Sequence, residues 1–137
     1  MELTLIGIGS GNPDHLTGQA IHALKHADLV VIPKKRNEKQ ELAQLRQELC
    51  KRYLPAGKAT IRCFDMPERD PGNPDYRLRV EAWHDAIADL WDENIGPAHR
   101  HVVLLIWGDP SLFDSSLRIA ERLRARRAIT VKVVPGL

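Results

Sequence analysis

Two glycine turns hold the residues of this chain best suited to chemistry. The first, Gly7-Ile8-Gly9-Ser10-Gly11-Asn12-Pro13, follows a short apolar run. Glycines in alternation let a backbone approach a ligand closely and adopt positive φ without a side-chain penalty. The spacing G-x-G-x-G is not the dinucleotide fingerprint G-x-G-x-x-G, nor does it end in the Lys-Ser/Thr of a phosphate loop. A tight strand-to-helix turn that binds nothing would use the same residues. The second turn is Trp107-Gly108-Asp109-Pro110-Ser111-Leu112-Phe113. Here Gly108 permits a sharp reversal, Pro110 stiffens it, and Asp109 supplies a carboxylate. A carboxylate just before a helix is also simply a good cap.

Other reactive side chains are less organised. Cys50 and Cys63 have no second pair at zinc-finger spacing, so they read as reduced thiols, buried or partly buried. The histidines His15, His22, His26, His84, His99 and His101 give no ligand pattern. His22 and His26 share a helix face, but no glutamate stands between them and no third ligand follows, so no metal is expected. Lys34, Lys35 and Arg36 form a cationic cluster that could pair with the carboxylates of an acidic ligand, or be a solvated loop. Arg118, Arg122, Arg124, Arg126 and Arg127 read as the solvated face of a helix, with the last two favourable at its carboxyl end. Trp83 and Trp91, two helical turns apart, read as core or interface anchors.

The elements that must position these groups alternate. Apolar runs at Leu3 to Ile8, Leu29 to Ile32 and Val102 to Ile106 suit buried strands, with Pro33 stopping the second, and Thr60 to Phe64 and Thr130 to Val134 read as a third and a closing fifth strand. Between them lie helical spacings. Thr17 to Ala27 has Asp14 as a plausible cap; Glu38 to Tyr53 carries Leu42, Leu45, Leu49 and Tyr53 on one face. Tyr76 to Asn94 and Leu117 to Leu123 complete the set, and 66–74 is a loop rich in Pro, Gly, Asp and Arg. Strand and helix in strict alternation mean a parallel sheet with helices on both faces, and ligands in such sheets sit beyond the carboxyl ends of the strands.

At 137 residues, with 43% hydrophobic and 28% charged residues, the chain has room for one globular core. Twenty Lys and Arg against 18 Asp and Glu leave a net charge of +2, too even for the concentrated basic footprint of a nucleic-acid binder. No apolar run approaches the roughly 20 residues of a membrane span. No signal peptide precedes the first strand, so a cytoplasmic protein is expected. The chain ends at Val134-Pro135-Gly136-Leu137, just after a strand that a covering helix would more often follow; a longer parent chain is therefore an expectation.

Four segments together carry a resemblance. Gly7 to Thr17, Ala27-Asp28-Leu29-Val30-Val31, Gly108 to Phe113 and Val133-Val134-Pro135-Gly136 fall in the order and spacing of the tetrapyrrole methyltransferases, and the likeness covers nearly the whole chain. Val31-Ile32-Pro33-Lys34-Lys35 and the stretch from Glu68-Arg69-Asp70 to Trp83-His84 look most like members that methylate precorrin-5 with loss of acetate in aerobic cobalamin synthesis. The resemblance implies an α/β fold with an open, mainly parallel five-stranded sheet. Residues 1–137 would be the amino-terminal half of a two-domain enzyme that moves a methyl group from S-adenosylmethionine to a precorrin. It places Gly9, Ser10, Gly11, Trp107, Gly108, Asp109, Pro110 and Leu112 at the methyl donor, with Ser10 where many relatives have proline. Pro13, Lys34 and Lys35 would face the macrocycle. Some relatives have a catalytic aspartate where this chain has Pro33, so no catalytic residue is assigned; for acetate release His84 and Asp70 would be guesses. Expected partners are the precorrin and a second subunit of a homodimer, without nucleic acid or membrane. Two other readings stand beside this one: another precorrin, such as precorrin-2, as substrate, or a non-catalytic ligand-binding module.

Overall fold

A computed structural model describes residues 1–34, 40–54, 59–67, 74–107 and 114–136, of which residues 40–43 and 114 are described by their backbone alone. The strands are β1 (Glu2–Gly7), β2 (Leu29–Lys34), β3 (Thr60–Asp65), β4 (His101–Ile106) and β5 (Thr130–Val134). Helices α1 (Gly18–His26), α2 (Gln40–Tyr53), α3 (Tyr76–Asn94) and α4 (Asp114–Arg124) alternate with them, and a short 3-10 turn (Pro13–His15) precedes α1. All five strands run parallel in the order β3-β2-β4-β1-β5.

That order fixes where the helices go. From β1 the chain steps through α1 and α2 toward β3, then returns through α3 and α4 toward β5. Right-handed crossovers in opposite directions must lie on opposite faces of a sheet. The cores show it. Leu3, Leu5, Val102 and Leu104 pack with Ile87, Trp91, Ile119 and Leu123 of α3 and α4. Ile6, Ile8, Val103 and Leu105 pack with Ala20 and Leu24 of α1 and Leu49 of α2. Successive strand residues point to opposite faces, so a strand covered on both sides is apolar at every position. Burying each such aliphatic side chain is worth about 1.5–3 kcal/mol relative to exposing it.

Two local expectations change. The cap of α1 is Thr17, whose side chain accepts from the Ala20 amide at 3.1 Å, and not Asp14, which belongs to the 3-10 turn. Pro33 does not stop β2, which continues to Lys34. Pairing of β2 with β4 ends at Val31, so the missing N–H of Pro33 leaves no ladder partner unmet on that side. The start of the second helical stretch, near Glu38, lies outside the described residues.

The arginines near the end of the chain are not merely a solvated face. Arg122 pairs with Asp85 at 2.6 Å, Arg126 with Asp89, and Arg127 with Asp92 at 3.3 Å. Arg127 also donates to the Ile95 and Gly96 carbonyls at 3.0 and 3.3 Å, so its charge caps the carboxyl end of α3 instead of α4. Trp91 is buried, while Trp83 is half-buried and donates its indole N–H to the Pro67 carbonyl at 2.6 Å.

Candidate functional site

Neighbouring strands β1 and β4 send their following helices to opposite faces of the sheet. Their carboxyl ends therefore flank a point where the winding reverses, the place at which open parallel sheets bind ligands. The turn after β1 starts at this point, and Trp107 follows the end of β4 beside it. The Ile8 amide donates to the Ile106 carbonyl at 2.9 Å, stitching the two strand ends together one residue past the end of β1.

The β1 turn is built by its glycines. Gly9 has φ of 55° and Gly11 φ of 86°, values that L side chains rarely adopt. The Gly11 amide closes the turn on the Ile8 carbonyl at 2.8 Å. Asn12 then starts the 3-10 turn, its side chain accepting from the Asp14 amide at 3.0 Å. Helix α2 braces the far side: the Tyr53 hydroxyl donates to the Pro13 carbonyl at 2.8 Å, and Arg52 pairs with Asp14 at 2.9 Å. The ion pair is largely exposed and adds little; the tyrosine hydrogen bond is half-buried and adds more.

Trp107, the first residue after β4, lies directly against this turn. A Cβ on Gly11 would sit 2.4 Å from Trp107 Cζ3 and 2.8 Å from Cη2, closer than any real Cβ contact. The absence of a side chain at Gly11 is what lets the indole come so near. The Arg46 guanidinium lies over the same indole, 5.4 Å from the ring centroid, and its Nη1 donates to the Pro33 carbonyl at the end of β2. Arg46 is 1% exposed. Burial pulls its pKa below the ordinary arginine value, with Cys63 and Cys50 opposing that shift.

Burial likewise pushes the Cys50 thiol up to about 11, helped by Cys63 and opposed by Arg46. At neutral pH it is a protonated packing group and not a nucleophile. Cys63 departs from expectation: it is exposed on the edge strand β3.

Of the residues expected at the site, the structure brings together Gly9, Gly11 and Trp107, with Ser10 exposed at the tip of the turn and Pro13 half-buried behind it. Lys34 ends β2 at the same sheet edge, half-buried, its carbonyl accepting from the Met66 amide at 2.7 Å. Gly108, Asp109, Pro110, Leu112, Lys35 and Asp70 lie outside the described residues. His84 is buried in the first half of α3. His22, His26 and His101 line a groove of about 490 Å³ beside α1 with Glu2, Thr4 and Lys132. Among the described residues no group of three or more His, Cys, Asp or Glu could hold a metal ion.

Sequence reasoning missed Arg46 and the bridging role of Tyr53. The available signal was an arginine four residues before Cys50 and three before Leu49, on the buried stripe of α2, where a charge needs a reason. Asp28 also differs from its neighbours in the motif. It accepts from the Arg100 amide at 2.7 Å and the His101 amide at 3.3 Å, joining β2 to β4 at the sheet edge opposite the glycine turn.

Comparison with known proteins agrees with this geometry. The family description Tetrapyrrole (Corrin/Porphyrin) Methylases matches residues 2–137. The chain is 39% identical over 142 aligned residues to precorrin-6A synthase [deacetylating] from Sinorhizobium sp, covering 99% of this chain and 54% of that protein. A solved structure titled as a cobalamin synthesis related protein, CobF, from Corynebacterium diphtheriae superposes with a TM-score of 0.73 at 36% identity, over 100% of this chain and 54% of that one. The uroporphyrin-III C-methyl transferase of Thermus thermophilus, solved with S-adenyl homocysteine, superposes at 0.56 with 23% identity over 100% of this chain and 45% of that one, a likeness of fold. The chain thus spans about half the length of the relatives it matches. With a family model that matches residues 2–137 and a relative 39% identical over 99% of this chain, the chain belongs to the tetrapyrrole methylase family.

Proposed function

We propose that this chain forms the donor-binding half of an S-adenosylmethionine-dependent precorrin methyltransferase of cobalamin biosynthesis, in which methyl transfer to precorrin-5, with water taken up as the acetyl group leaves, gives precorrin-6A, S-adenosylhomocysteine and acetate. The observation that carries the reading is the contact of Gly11 with Trp107, which brings the turn after β1 against the residue that follows β4. The 39% identity to a precorrin-6A synthase points to the substrate, and the S-adenyl homocysteine held by the Thermus relative to the donor class.

The residues present fit such a donor. Gly9 leaves backbone without a side chain in the turn, and Trp107, packed on buried Gly11, offers an aromatic surface beside it. Ser10 stands exposed at the tip of the turn, where its hydroxyl is accessible to a polar group. Gly108, Asp109, Pro110 and Leu112 are assigned to the same donor by family resemblance. When bound, the sulfonium supplies an already activated methyl group, which passes to a nucleophilic macrocycle carbon while the sulfur keeps the bonding electron pair. The protein then needs to orient two reactants rather than create a nucleophile, and orientation can contribute roughly 7–11 kcal/mol. Pro13 and Lys34, at the same edge, would meet the macrocycle and its carboxylates, and Lys35 is assigned to it by family resemblance.

A second domain, for which the relatives' greater length leaves room, would complete the pocket. Residues 1–137 alone should therefore give no turnover; we also assign the whole enzyme to the cytoplasm as a homodimer. The test is to supply the full-length protein with precorrin-5 and methyl-labelled S-adenosylmethionine, following label in the macrocycle and acetate in solution. Label and acetate in equal amounts support the reading. Label without acetate, or transfer only to another precorrin, would replace the substrate; no transfer to any precorrin would overturn the function.

A further inference from the structure

We infer that Arg46 is a positioning residue of the donor site: acting through the Trp107 ring, it sets the relation between the turn after β1 and the chain leaving β4. This rests on the donor-binding reading above.

One cation reaches three strand ends. Its guanidinium lies 5.4 Å from the Trp107 ring centroid just past β4, and donates to the carbonyl of Pro33, the penultimate residue of β2. Through the indole it bears on Gly11, just past β1, which has no room for even a methyl group beside Trp107. Leu45, the preceding residue of α2, stands 3.5 Å from the same Gly11 Cβ position. Tyr53, two turns further along α2, holds the Pro13 carbonyl. Helix α2 thus clamps the β1 turn at both ends.

Stability is a poor explanation for a charge placed there. Removing an arginine from water carries a desolvation penalty that offsets much of what its contacts return. Orientation is a better one. A cation over an indole is drawn to the ring's negative face, and a guanidinium holds its donors in one rigid plane. The Pro33 carbonyl and the Trp107 ring are therefore held at one mutual angle, which neither an apolar side chain nor a flexible ammonium can impose. A displacement of about 1 Å in a positioning element can cost on the order of 100-fold in rate.

The test uses the full-length protein, with S-adenosylhomocysteine as calorimetric probe and 5-fluorotryptophan as a spectroscopic one. The Trp107 fluorine resonance is assigned by its loss in Trp107→Phe. Arg46→Met should weaken S-adenosylhomocysteine about tenfold or more and shift the Trp107 resonance in the folded protein. Arg46→Lys, which keeps the charge, should fall between wild type and Arg46→Met, and it carries the test if Arg46→Met does not fold. In the Trp107→Leu background the Arg46→Met change should add little further loss, because the arginine acts through the ring. Wild-type affinity in Arg46→Met, or losses that simply add in the double variant, overturn the inference and leave the donor reading intact. A wild-type protein that binds no S-adenosylhomocysteine removes the donor reading and the inference with it.

Discussion

The Tyr53 hydroxyl donates to the Pro13 carbonyl at 2.8 Å across 40 residues of chain, fastening the end of α2 to the turn that leaves β1. That one hydrogen bond spans the glycine turn like a strut, since Gly9 and Gly11 cannot stiffen the turn themselves. Tyr53→Phe keeps the ring and deletes the donor. It should cost about 0.5–1.5 kcal/mol, seen as a lower denaturation midpoint with unchanged slope. A wild-type midpoint would show that the strut contributes nothing.

Gly11→Ala should do more damage than its size suggests. Its φ of 86° costs an L residue about 1–2 kcal/mol, and its Cβ would meet the Trp107 ring at 2.4 Å. Expected are a drop of several degrees in melting temperature and a lost or severely weakened donor affinity. Gly18→Ala is the matched control, because nothing lies within 4 Å of its Cβ position and it opens α1. That change should be neutral or stabilise by up to about 1 kcal/mol. Equal losses in the two variants would contradict the close approach of Trp107.

Asp28→Ala tests a separation of roles within one motif. Its carboxylate receives the Arg100 and His101 amides at the edge of the sheet away from the glycine turn. Loss of those charged hydrogen bonds should destabilise by about 1.5–3 kcal/mol without altering donor affinity in the folded protein. An affinity loss at full folding would place Asp28 in the site after all.

The cysteines should separate by reactivity. Exposed Cys63 should react with a thiol reagent at pH 8, whereas buried Cys50 should react only on unfolding. Cys50 has a folded pKa of about 11 against an ordinary value of 9.0. The unfolded chain therefore loses this proton first, and the associated stability is complete below pH 9 and lost as pH rises from 9 toward 11. Cys50→Ala should flatten that alkaline decline, measured as denaturation midpoints from pH 8 to 11. An unchanged decline would assign it to other groups.

The residues of this chain by themselves determined its class and most of its elements. Val102 to Ile106 is apolar at every position and Leu3 to Ile8 at every position but Thr4, the pattern of a strand covered on both faces. Five strand-like runs alternating with amphipathic stretches point to a parallel α/β sheet, and the glycine turns read at two strand ends mark its ligand edge. Where local pattern competed with tertiary context, it misled. Pro33 looks like a stop, yet it stays in β2 because β4 has already ended its pairing there. Asp14 looks like the cap of α1, but Thr17 reaches the free amide first.

Only the tertiary structure decided which strand ends meet. Sequence order separates β1 from β4 by two strands and three helices, and no local property of either reveals that they are neighbours. That adjacency places Trp107 against Gly11 and lets Arg46, from a third element, lie over the same ring. An arginine on a helix face reads as solvated until something covers it. Its burial is a consequence of long-range packing, which spacing along the chain cannot express.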